Sequence, residues 1–359
     1  MLAKTTNDLP AHSAGQAAPP RAVANSHHAV PAQPADGRHA PALWKELTAR
    51  FISEGGVLGE MCRHALATPG KLFRPILLLQ SAEAVGGRVE HVLPAAVGTE
   101  VGHIASLVHD DVIDGDDLRR GQPSVQAKFG ANSAIVAGDV LLFELFRCLA
   151  ECRNAGAPDD RIVSALDVVS RAGIDLCRGQ SLESELTAAG SRDLDRYVLM
   201  IKLKTGALFS GACRAGAILG GGGPEQVSAL GRFGDDLGIA FQVCDDLLTY
   251  IGLSDEAIGK SLISDIRNKR MTLPVIFAYA EGRPEIEEQL DGVFGERADP
   301  ADALATVRDL MTRTGAVERS RELALAHARR AVDVLDVLEP SPSRDQLAQY
   351  AIRAIDRVR

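Results

Sequence analysis

The segment LVHDDVIDGDDLRRG, residues 107–121, places five aspartates and two arginines in fifteen residues, directly after a stretch with the apolar spacing of a buried helix. Carboxylates held within a few ångströms of one another repel, and each is driven towards protonation unless a cation compensates. On a helix, residues four apart share a face, so Asp110 and Asp114 project together and Asp111 lies to one side. Mg²⁺ binds one or two protein carboxylates and completes its octahedron with water and substrate phosphates. The motif therefore predicts a magnesium site that receives a diphosphate, although aspartates at a helix end can also be simply solvated.

A second acidic pair lies in another apolar helical run, FQVCDDLLTYIG. Asp245 and Asp246 follow Gln242 by one helical turn, and two adjacent acids in an apolar helix are costly without a partner. Two such helices facing one cavity could clamp a polyphosphate through several metal ions. Position 249, where a third acid would complete the pattern, is threonine. Thr249 weakens the second site without abolishing it, because one carboxylate with phosphate oxygens and water can hold a magnesium ion.

Basic side chains accompany the acids along the chain. Each by itself is more typical of a solvated surface, but arginine forks and lysine ammonium groups are the groups that bind diphosphates. His103, on the helix face of Asp110, is a candidate phosphate donor, although a lone histidine there is more often a satisfied core residue. The basic residues are Lys71 and Arg74 in PGKLFRP, Arg119 and Arg120 in RRG, Lys202 and Lys204 in KLKTG, and Lys260, Arg267, Lys269 and Arg270 in IGKSLISDIRNKRMTLP.

Long helices must position these groups. From Trp44 onwards, apolar residues recur at three- and four-residue steps, and alternating strand patterns are nearly absent. The pattern predicts an all-α fold, a single large helical bundle around one central cavity. Residues 1–40, rich in Ala, Pro and His, are predicted to be a disordered extension, and residues 41–359 to be the helical domain. Long helices are predicted over roughly 90–114, 131–153, 160–188, 196–219, 225–251 and 316–338.

Composition limits the partners and the location. A formal net charge of −9 over 359 residues argues against nucleic-acid binding, which needs a basic face. No apolar run approaches the ~20 residues of a transmembrane segment. The six cysteines form no CxxC pair. Cys148 and Cys152, one helical turn apart, are expected to be small core residues, and a reducing, cytoplasmic location is expected for the protein.

The motifs, taken in order, resemble one family. GK-x-x-RP, H-x-x-SL-x-HDD-x-x-D, RRG-x-P, KTG, FQ-x-x-DD, GK and K-x-x-TLP follow one another between about residues 60 and 275. This order resembles the trans-isoprenyl diphosphate synthases, or polyprenyl synthetases. The resemblance implies the isoprenoid synthase type I fold, a homodimer, and a magnesium-dependent transferase of isoprenoid biosynthesis. Such an enzyme condenses isopentenyl diphosphate with an allylic diphosphate to give a linear all-trans prenyl diphosphate.

The same resemblance implies roles for individual residues, including catalytic roles for Asp110, Asp111, Asp114, Lys204 and Asp245. Three Mg²⁺ ions on the allylic diphosphate would be held by Asp110, Asp111, Asp114, Asp245 and Asp246. The allylic diphosphate itself would be held by Arg119, Lys204, Thr205 and Lys260, with Gln242 nearby. Isopentenyl diphosphate would be held by Lys71, Arg74, His103 and Arg120. The family's second acidic motif usually ends in a third aspartate, so Thr249 puts the geometry of one metal in doubt.

Small residues before the first acidic motif bear on product length. Ala105 and Ser106, one turn before Asp110, would line the path of the growing product, with Gly102 and Gly98 further back. In the family, bulky residues four and five positions before the first aspartate accompany short products, so a product of twenty carbons (geranylgeranyl) or longer is predicted. Close helix packing through small residues is the alternative explanation. The far wall of the channel is expected among Val168, Val169, Ala172 and Gly173.

Two other functions stay open. A class I terpene cyclase also ionises allylic diphosphates with Mg²⁺, but it does not need the second anion pocket that the basic residues suggest. A non-catalytic partner subunit of a prenyl synthase would bind prenyl diphosphates without turnover. The complete motif of Asp110, Asp111 and Asp114 argues against that subunit, whereas Thr249 is compatible with it.

Overall fold

The computed structural model describes residues 38–67, 70–251, 265, 268, 270–294 and 300–356, without the side chains of 249, 300–302 and 304. Most of these residues are helical. The predicted all-α class is therefore confirmed. The helices are α1 (Ala40–Ala49), α2 (Gly56–Leu66), α3 (Phe73–Ala84), α4 (Val89–Asp114), α5 (Val125–Phe129), α6 (Ala131–Glu151), α7 (Asp159–Ala189), α8 (Leu194–Ile201), α9 (Ala207–Gly220), α10 (Pro224–Ile251), α11 (Leu273–Tyr279), α12 (Pro284–Val293), α13 (Pro300–Arg313), α14 (Ala316–Asp333) and α15 (Pro342–Asp356).

The predicted long helices are present with small shifts at their ends. The largest difference lies in the predicted helix 196–219, which the structure divides into α8 and α9 by a π-helical turn, Lys202–Gly206. A short 3₁₀ turn, Val334–Val337, likewise follows α14. Apolar periodicity locates helices well, but it does not reveal one extra residue inserted into a turn.

Helix α3 forms the centre of the bundle. Its residues from Pro75 to Ala82 are all buried, so the apolar run PILLLQSA is a core segment. Gly216 of α9 lies directly against it, since a Cβ added there would come within 2.9 Å of the carbonyl carbon of Leu78. No helix in the described part of the chain has the length and apolarity needed to span a membrane.

Helix α4 carries the first acidic motif in its last turn. The helix ends at Gly115, which adopts the left-handed conformation (φ +70°) and donates its N–H to the carbonyl of Asp111. The last turn contains no basic residue, although the partial negative charge of a helix C-terminus disfavours carboxylates. The acids of this turn therefore depend on positive charge from elsewhere.

The RRG segment forms a further feature that helical periodicity did not predict, a β-hairpin with a two-residue turn. Strands β1 (Leu118–Arg119) and β2 (Gln122–Pro123) pair antiparallel. Arg120 (φ +51°) and Gly121 (φ +77°) between them both have positive φ, as a type I′ turn requires. This turn directs the side chains of the two adjacent arginines to different neighbours.

All six cysteines are free thiols, as predicted. Cys177 on α7 is exposed, and the other five are buried. Cys148 and Cys152 pack in the main hydrophobic core, where a thiol behaves as a small apolar group. Their spacing of one helical turn therefore serves packing.

Candidate active site

The second acidic motif lines a cavity of about 280 Å³, and cations on the wall of this cavity also interact with the first motif. Asp245 of α10 lines this cavity with Lys204 and Arg270. Asp114 of α4 forms a salt bridge with Arg270 Nη2 at 2.7 Å, and Lys204 acts electrostatically on Asp110. The cations on the cavity wall are thus neighbours of both motifs, which is the arrangement that a shared polyphosphate site requires.

Asp110 is a partly buried acid with charged neighbours of both signs. Burial raises the pKa of its carboxyl group above the ordinary value, Lys204 opposes this rise, and the neighbouring carboxylates of Asp114 and Glu183 add to it. A divalent cation at this place would reverse the effect, since it favours the ionised carboxylate.

Asp111 has a partner inside the protein. It is buried, and Arg119 donates to its Oδ1 from Nε at 2.7 Å and also from Nη2. Gln126 donates to the backbone carbonyl of Asp111 at 2.5 Å and to that of Asp116 at 2.9 Å. Arg119, predicted to bind the allylic diphosphate, therefore joins the hairpin to the end of α4 in this structure.

The KTG motif forms the π-helical turn between α8 and α9. Gly179 of α7 approaches this turn so closely that a Cβ there would overlap the backbone nitrogen of Lys204. Lys204 Nζ donates to Glu183, and Thr205 Oγ1 donates to Gln242 Oε1 at 2.9 Å. A π turn contains one extra residue, which changes the direction of the side chains that follow. In this turn, Lys204 and Thr205 lie on the cavity wall.

Asp246 is surrounded by protein donors. Its Oδ1 accepts from Gln242 Nε2 at 3.1 Å. Its Oδ2 accepts from the hydroxyl group of Tyr197 and from the backbone N–H of Leu273 at 3.3 Å. Burial nevertheless raises the pKa of Asp246 to about 6, against the lowering effect of these hydrogen bonds.

A second group of cations lies at the N-terminus of α3. Leu72, just before the helix, has a left-handed backbone (φ +52°), a strained conformation for a branched residue that is frequent at functional sites. Within the described part of the chain, Arg74 Nε and His103 Nδ1 are buried without a hydrogen-bond partner. Burial lowers the pKa of Arg74 to about 10 and lowers that of His103 well below its ordinary value. Buried polar atoms without a hydrogen-bond partner are rare in folded proteins, and the Arg74 guanidinium group is a donor with a positive charge, so this region fits an anionic ligand.

Glu100 is an acid next to Arg74 and Arg120, in what we call the second anion region (Arg74, His103 and Arg120). No motif of the sequence indicated it. A Cβ added at Gly70 would lie 2.9 Å from both terminal nitrogens of Arg120 and from Glu100 Oε1, so these groups surround the same point. Glu100 is buried. Burial raises its pKa, and the charges of Arg74 and Arg120 oppose the rise. A single acid buried in the apolar part of α4 was the only signal in the sequence.

Glu183, Tyr197 and Asp265 also line the cavity, and no motif of the sequence indicated them. Arg270, one of the basic residues predicted to accompany the acids, lines the same cavity. Burial raises the pKa of Asp265 to about 7, and the negative charge of Asp246 contributes to the rise. Glu183 stands in an amphipathic stretch of α7 without a distinctive spacing, so its proximity to Lys204 becomes evident only from the packing of α7 against the π turn.

The small residues of α4 divide between two environments. A Cβ added at Gly98 would lie 2.7 Å from Cys148 Cβ, and one at Gly102 would lie 2.9 Å from Leu145 Cδ2. These two glycines therefore permit close packing of α4 against α6, the alternative considered above. Ala105 is fully buried. Ser106 is partly accessible and donates to the carbonyl of His103 at 2.7 Å, so it is the small residue on the face of Asp110.

Two of the four residues expected to form the far wall of the product channel line a different groove. Val168 and Ala172 line a groove of about 320 Å³ together with Lys202 and Asp235, and this groove does not include the acidic motifs. The assignment of Val169 and Gly173 to the channel stays a prediction.

Several predicted groups lie outside the described residues. They are Lys260, Arg267, Lys269 and the side chain of Thr249. The roles given to them from sequence stay predictions. The same is true of residues 1–37, which include most of the predicted extension.

Comparison with known proteins agrees with this architecture. The family model described as polyprenyl synthetase matches residues 56–311. The chain is 37% identical over 294 residues to the short chain isoprenyl diphosphate synthase of Methanothermobacter thermautotrophicus, covering 82% of this chain and 88% of the relative. It is 36% identical over 296 residues to the geranylgeranyl diphosphate synthase of Methanosarcina mazei, with coverages of 82% and 88%.

A solved structure shares the fold over most of its length. The crystal structure of polyprenyl synthase from Caulobacter crescentus CB15, complexed with calcium and isoprenyl diphosphate, superposes with a TM-score of 0.79 at 29% identity. The match covers 88% of this chain and 94% of that one. The family match spans most of the sequence and includes both acidic motifs, and on these grounds the chain belongs to the polyprenyl synthetase family.

Proposed function

We propose that this chain is a trans-prenyltransferase that condenses isopentenyl diphosphate with an allylic diphosphate to give a linear prenyl diphosphate of twenty carbons or more. The observation that carries the proposal is the second anion region, where Arg74 Nε and His103 Nδ1 are buried and unpaired within the described residues. A terpene cyclase binds one diphosphate and does not need this region. Further support comes from the geranylgeranyl diphosphate synthase of Methanosarcina mazei, a relative at 36% identity.

Magnesium is proposed to act at the acidic cavity. Asp110 and Asp114 of α4 and Asp245 of α10 supply the hard oxygen ligands that Mg²⁺ prefers, and three ions are expected, as in the family. Bound Mg²⁺ would neutralise negative charge on the departing pyrophosphate. The Caulobacter crescentus polyprenyl synthase, which was crystallised with calcium and isoprenyl diphosphate, supports a divalent cation at such a site.

The cationic side chains are proposed to divide the two substrates between them. Lys204, Arg119 and Lys260 bind the allylic diphosphate and stabilise the charge that accumulates when its carbon–oxygen bond breaks. To do so, Arg119 must exchange its bond to Asp111 for one to the phosphate. The guanidinium group carries five N–H donors, so some of them can turn to the phosphate when the bond to Asp111 is released.

The second group orients the nucleophile. Lys71, Arg74, His103 and Arg120 are proposed to hold isopentenyl diphosphate so that its terminal double bond attacks the allylic cation and forms the new carbon–carbon bond. When both substrates are held in the same site, the bond-forming step becomes effectively unimolecular, which lowers its entropic cost. Loss of one proton, which the released pyrophosphate can accept, then restores a double bond. Apolar residues on the cavity wall, such as Met271 and Ile276, exclude the water that would otherwise capture the cation.

A product assay tests the proposal. Purified protein is incubated with Mg²⁺, labelled isopentenyl diphosphate and each allylic primer in turn, and the products are dephosphorylated and identified by mass spectrometry. Linear prenyl alcohols of twenty carbons or more are expected. A cyclic hydrocarbon would identify a cyclase instead, and the absence of any product with every primer would indicate the non-catalytic partner subunit.

Replacing Ser106 with phenylalanine is expected to shorten the product by one or more five-carbon units. Ser106 is partly accessible one turn before Asp110, so a ring at this position would occupy the proposed path of the chain. The measurement is the mass distribution of the products. Ser228→Phe, at an exposed position near the start of α10, is the matched control and should leave the distribution unchanged. An unchanged distribution in S106F would place the product tail elsewhere.

The chain is also proposed to form a homodimer through α6 and α7. Phe143 of α6 is 74% exposed, and Val163 of α7 is 65% exposed. Other large apolar side chains exposed on the same two helices are Ile135, Val136, Leu142, Leu166 and Ile174. Such exposure is typical of a surface that another protein covers.

Replacing Phe143 with glutamate is therefore expected to give a monomer. A charge at the centre of an apolar interface would lose its hydration without gaining a partner. Light scattering coupled to size-exclusion chromatography measures the mass. Ile352→Glu, at an exposed apolar position of α15, should leave the dimer intact. A dimeric F143E protein would show that this face is not the interface.

The proposed location is the cytoplasm. All six cysteines are free, and their retention as thiols fits a reducing compartment. The substrates proposed here are water-soluble diphosphates, which agrees with the same location.

A further inference from the structure

The two acids of the second motif point towards different neighbours. Asp245 and Asp246 are adjacent on α10, so their side chains diverge by about 100° around the helix axis. Both carboxylates line the cavity of the candidate active site, and the charge of Asp245 also acts on Arg74 of the second anion region. Asp246 contacts Tyr197 of α8 and Leu273 of α11. Adjacent carboxylates with such different surroundings are suited to different tasks.

Asp246 joins three separate helices through one carboxylate. An ionised carboxylate accepts hydrogen bonds and cannot donate them, so the Tyr197 hydroxyl must be the donor. The N–H of Leu273 donates to the same oxygen at 3.3 Å, and Gln242 Nε2 donates to the other oxygen at 3.1 Å. Three of its acceptor sites are thereby occupied by the protein.

The charge of Asp246 also sets the orientation of the neighbouring amide. Because Gln242 turns its NH₂ group towards Asp246, its Oε1 faces the π turn, where it accepts from Thr205 Oγ1 at 2.9 Å. The polar chain runs from Thr205 through Gln242 to Asp246, with Tyr197 donating from the other side. Every hydrogen bond in this chain is donated in the direction of the Asp246 carboxylate. The orientation of the whole chain therefore depends on Asp246 as its final acceptor.

We infer that Asp246 and Tyr197 are a positioning pair, which holds Gln242 and the π turn in place, and that Asp245 is the acid of this motif that faces the metal ions. The role of Asp245 rests on the proposed function, because that function supplies the metal ions. The role of Asp246 and Tyr197 rests only on the hydrogen bonds described above. It differs from the sequence-based expectation, in which both acids bind metal. Tyr197 thereby acquires a role that no motif assigned to it.

The first experiment measures coupling between the two residues without metal or substrate. Thermal unfolding is recorded for wild type, Tyr197→Phe, Asp246→Asn and the double variant. Each single change is expected to lower the melting temperature. For Asp246→Asn, asparagine keeps only one acceptor oxygen for the donors Tyr197, Gln242 and Leu273, and this loss is expected to outweigh the relief of burying a charge. The double variant should lose less than the sum of the two losses, because both changes remove the same interaction. Tyr279→Phe, which removes a comparable hydroxyl bond to Asp291, should combine additively with Asp246→Asn. Additive losses for Tyr197 and Asp246 would overturn the positioning pair.

The second experiment counts metal ions. Mn²⁺ bound per chain at saturating pyrophosphate is measured by electron paramagnetic resonance. Asp245→Asn is expected to bind fewer ions than wild type, whereas Asp246→Asn and Tyr197→Phe should keep the wild-type number. Loss of an ion in Asp246→Asn would make Asp246 a ligand and overturn the inference. If wild type binds no ions and forms no product, the proposed function fails, while the coupling measurement still decides the role of Tyr197.

Discussion

Replacing Asp110 with asparagine is expected to lower kcat by ~10²–10³-fold, the usual loss when one group that stabilises transition-state charge is removed. Asparagine keeps the shape of the side chain but removes the charge that a divalent cation would need. Steady-state kinetics at saturating Mg²⁺ measures the loss. Since Asp110 interacts with Lys204, which lines the cavity, the change acts close to where the allylic diphosphate is proposed to ionise.

The same substitution is not expected to destabilise the protein. Because burial raises the pKa of Asp110 in the folded state, the ionised form at pH 7 is less favourable in the folded protein than in the unfolded chain. Removing the charge should therefore leave the free energy of unfolding unchanged or increase it. Asp167→Asn, at an exposed ion pair with Arg171 on α7, should change neither rate nor stability. Full activity in D110N would exclude the proposed metal site.

Replacing Arg74 with lysine is expected to raise KM for isopentenyl diphosphate about 10- to 100-fold. Lysine keeps the charge but loses the planar fork that binds a phosphate through parallel hydrogen bonds. A hydrogen bond to a charged group contributes about 1.5–3 kcal/mol, which corresponds to this range. The measurement is a pair of kinetic titrations in which each substrate is varied at saturation of the other.

The decisive result is whether Arg74→Lys raises KM for isopentenyl diphosphate alone or for both substrates. KM for the allylic substrate should change little, because Arg74 belongs to the second anion region. Arg178→Lys, at an exposed position of α7 paired with Asp175, is the matched control and should leave both KM values unchanged. An equal rise in both KM values in R74K would show that the two diphosphates do not bind at separate places.

Much of the architecture was predictable because its signals are local. Apolar residues at helical spacing located α4, α6, α7, α10 and α14, since each helix must bury one face. The order of the charged motifs likewise indicated the family. Even Thr249, the departure from the family pattern, is visible in the sequence, although its consequence for the metal ions is not.

The sequence by itself therefore determined the helical class, the order of the helices and the residue types available for diphosphate chemistry. Only the tertiary structure decided which charges are neighbours. Asp111 pairs with Arg119, and Asp114 with Arg270. Glu183 contacts Lys204 across 21 positions, and Tyr197 contacts Asp246 across 49. Such contacts arise when helices distant in sequence pack together, and helical periodicity describes only the face that a residue occupies on its own helix.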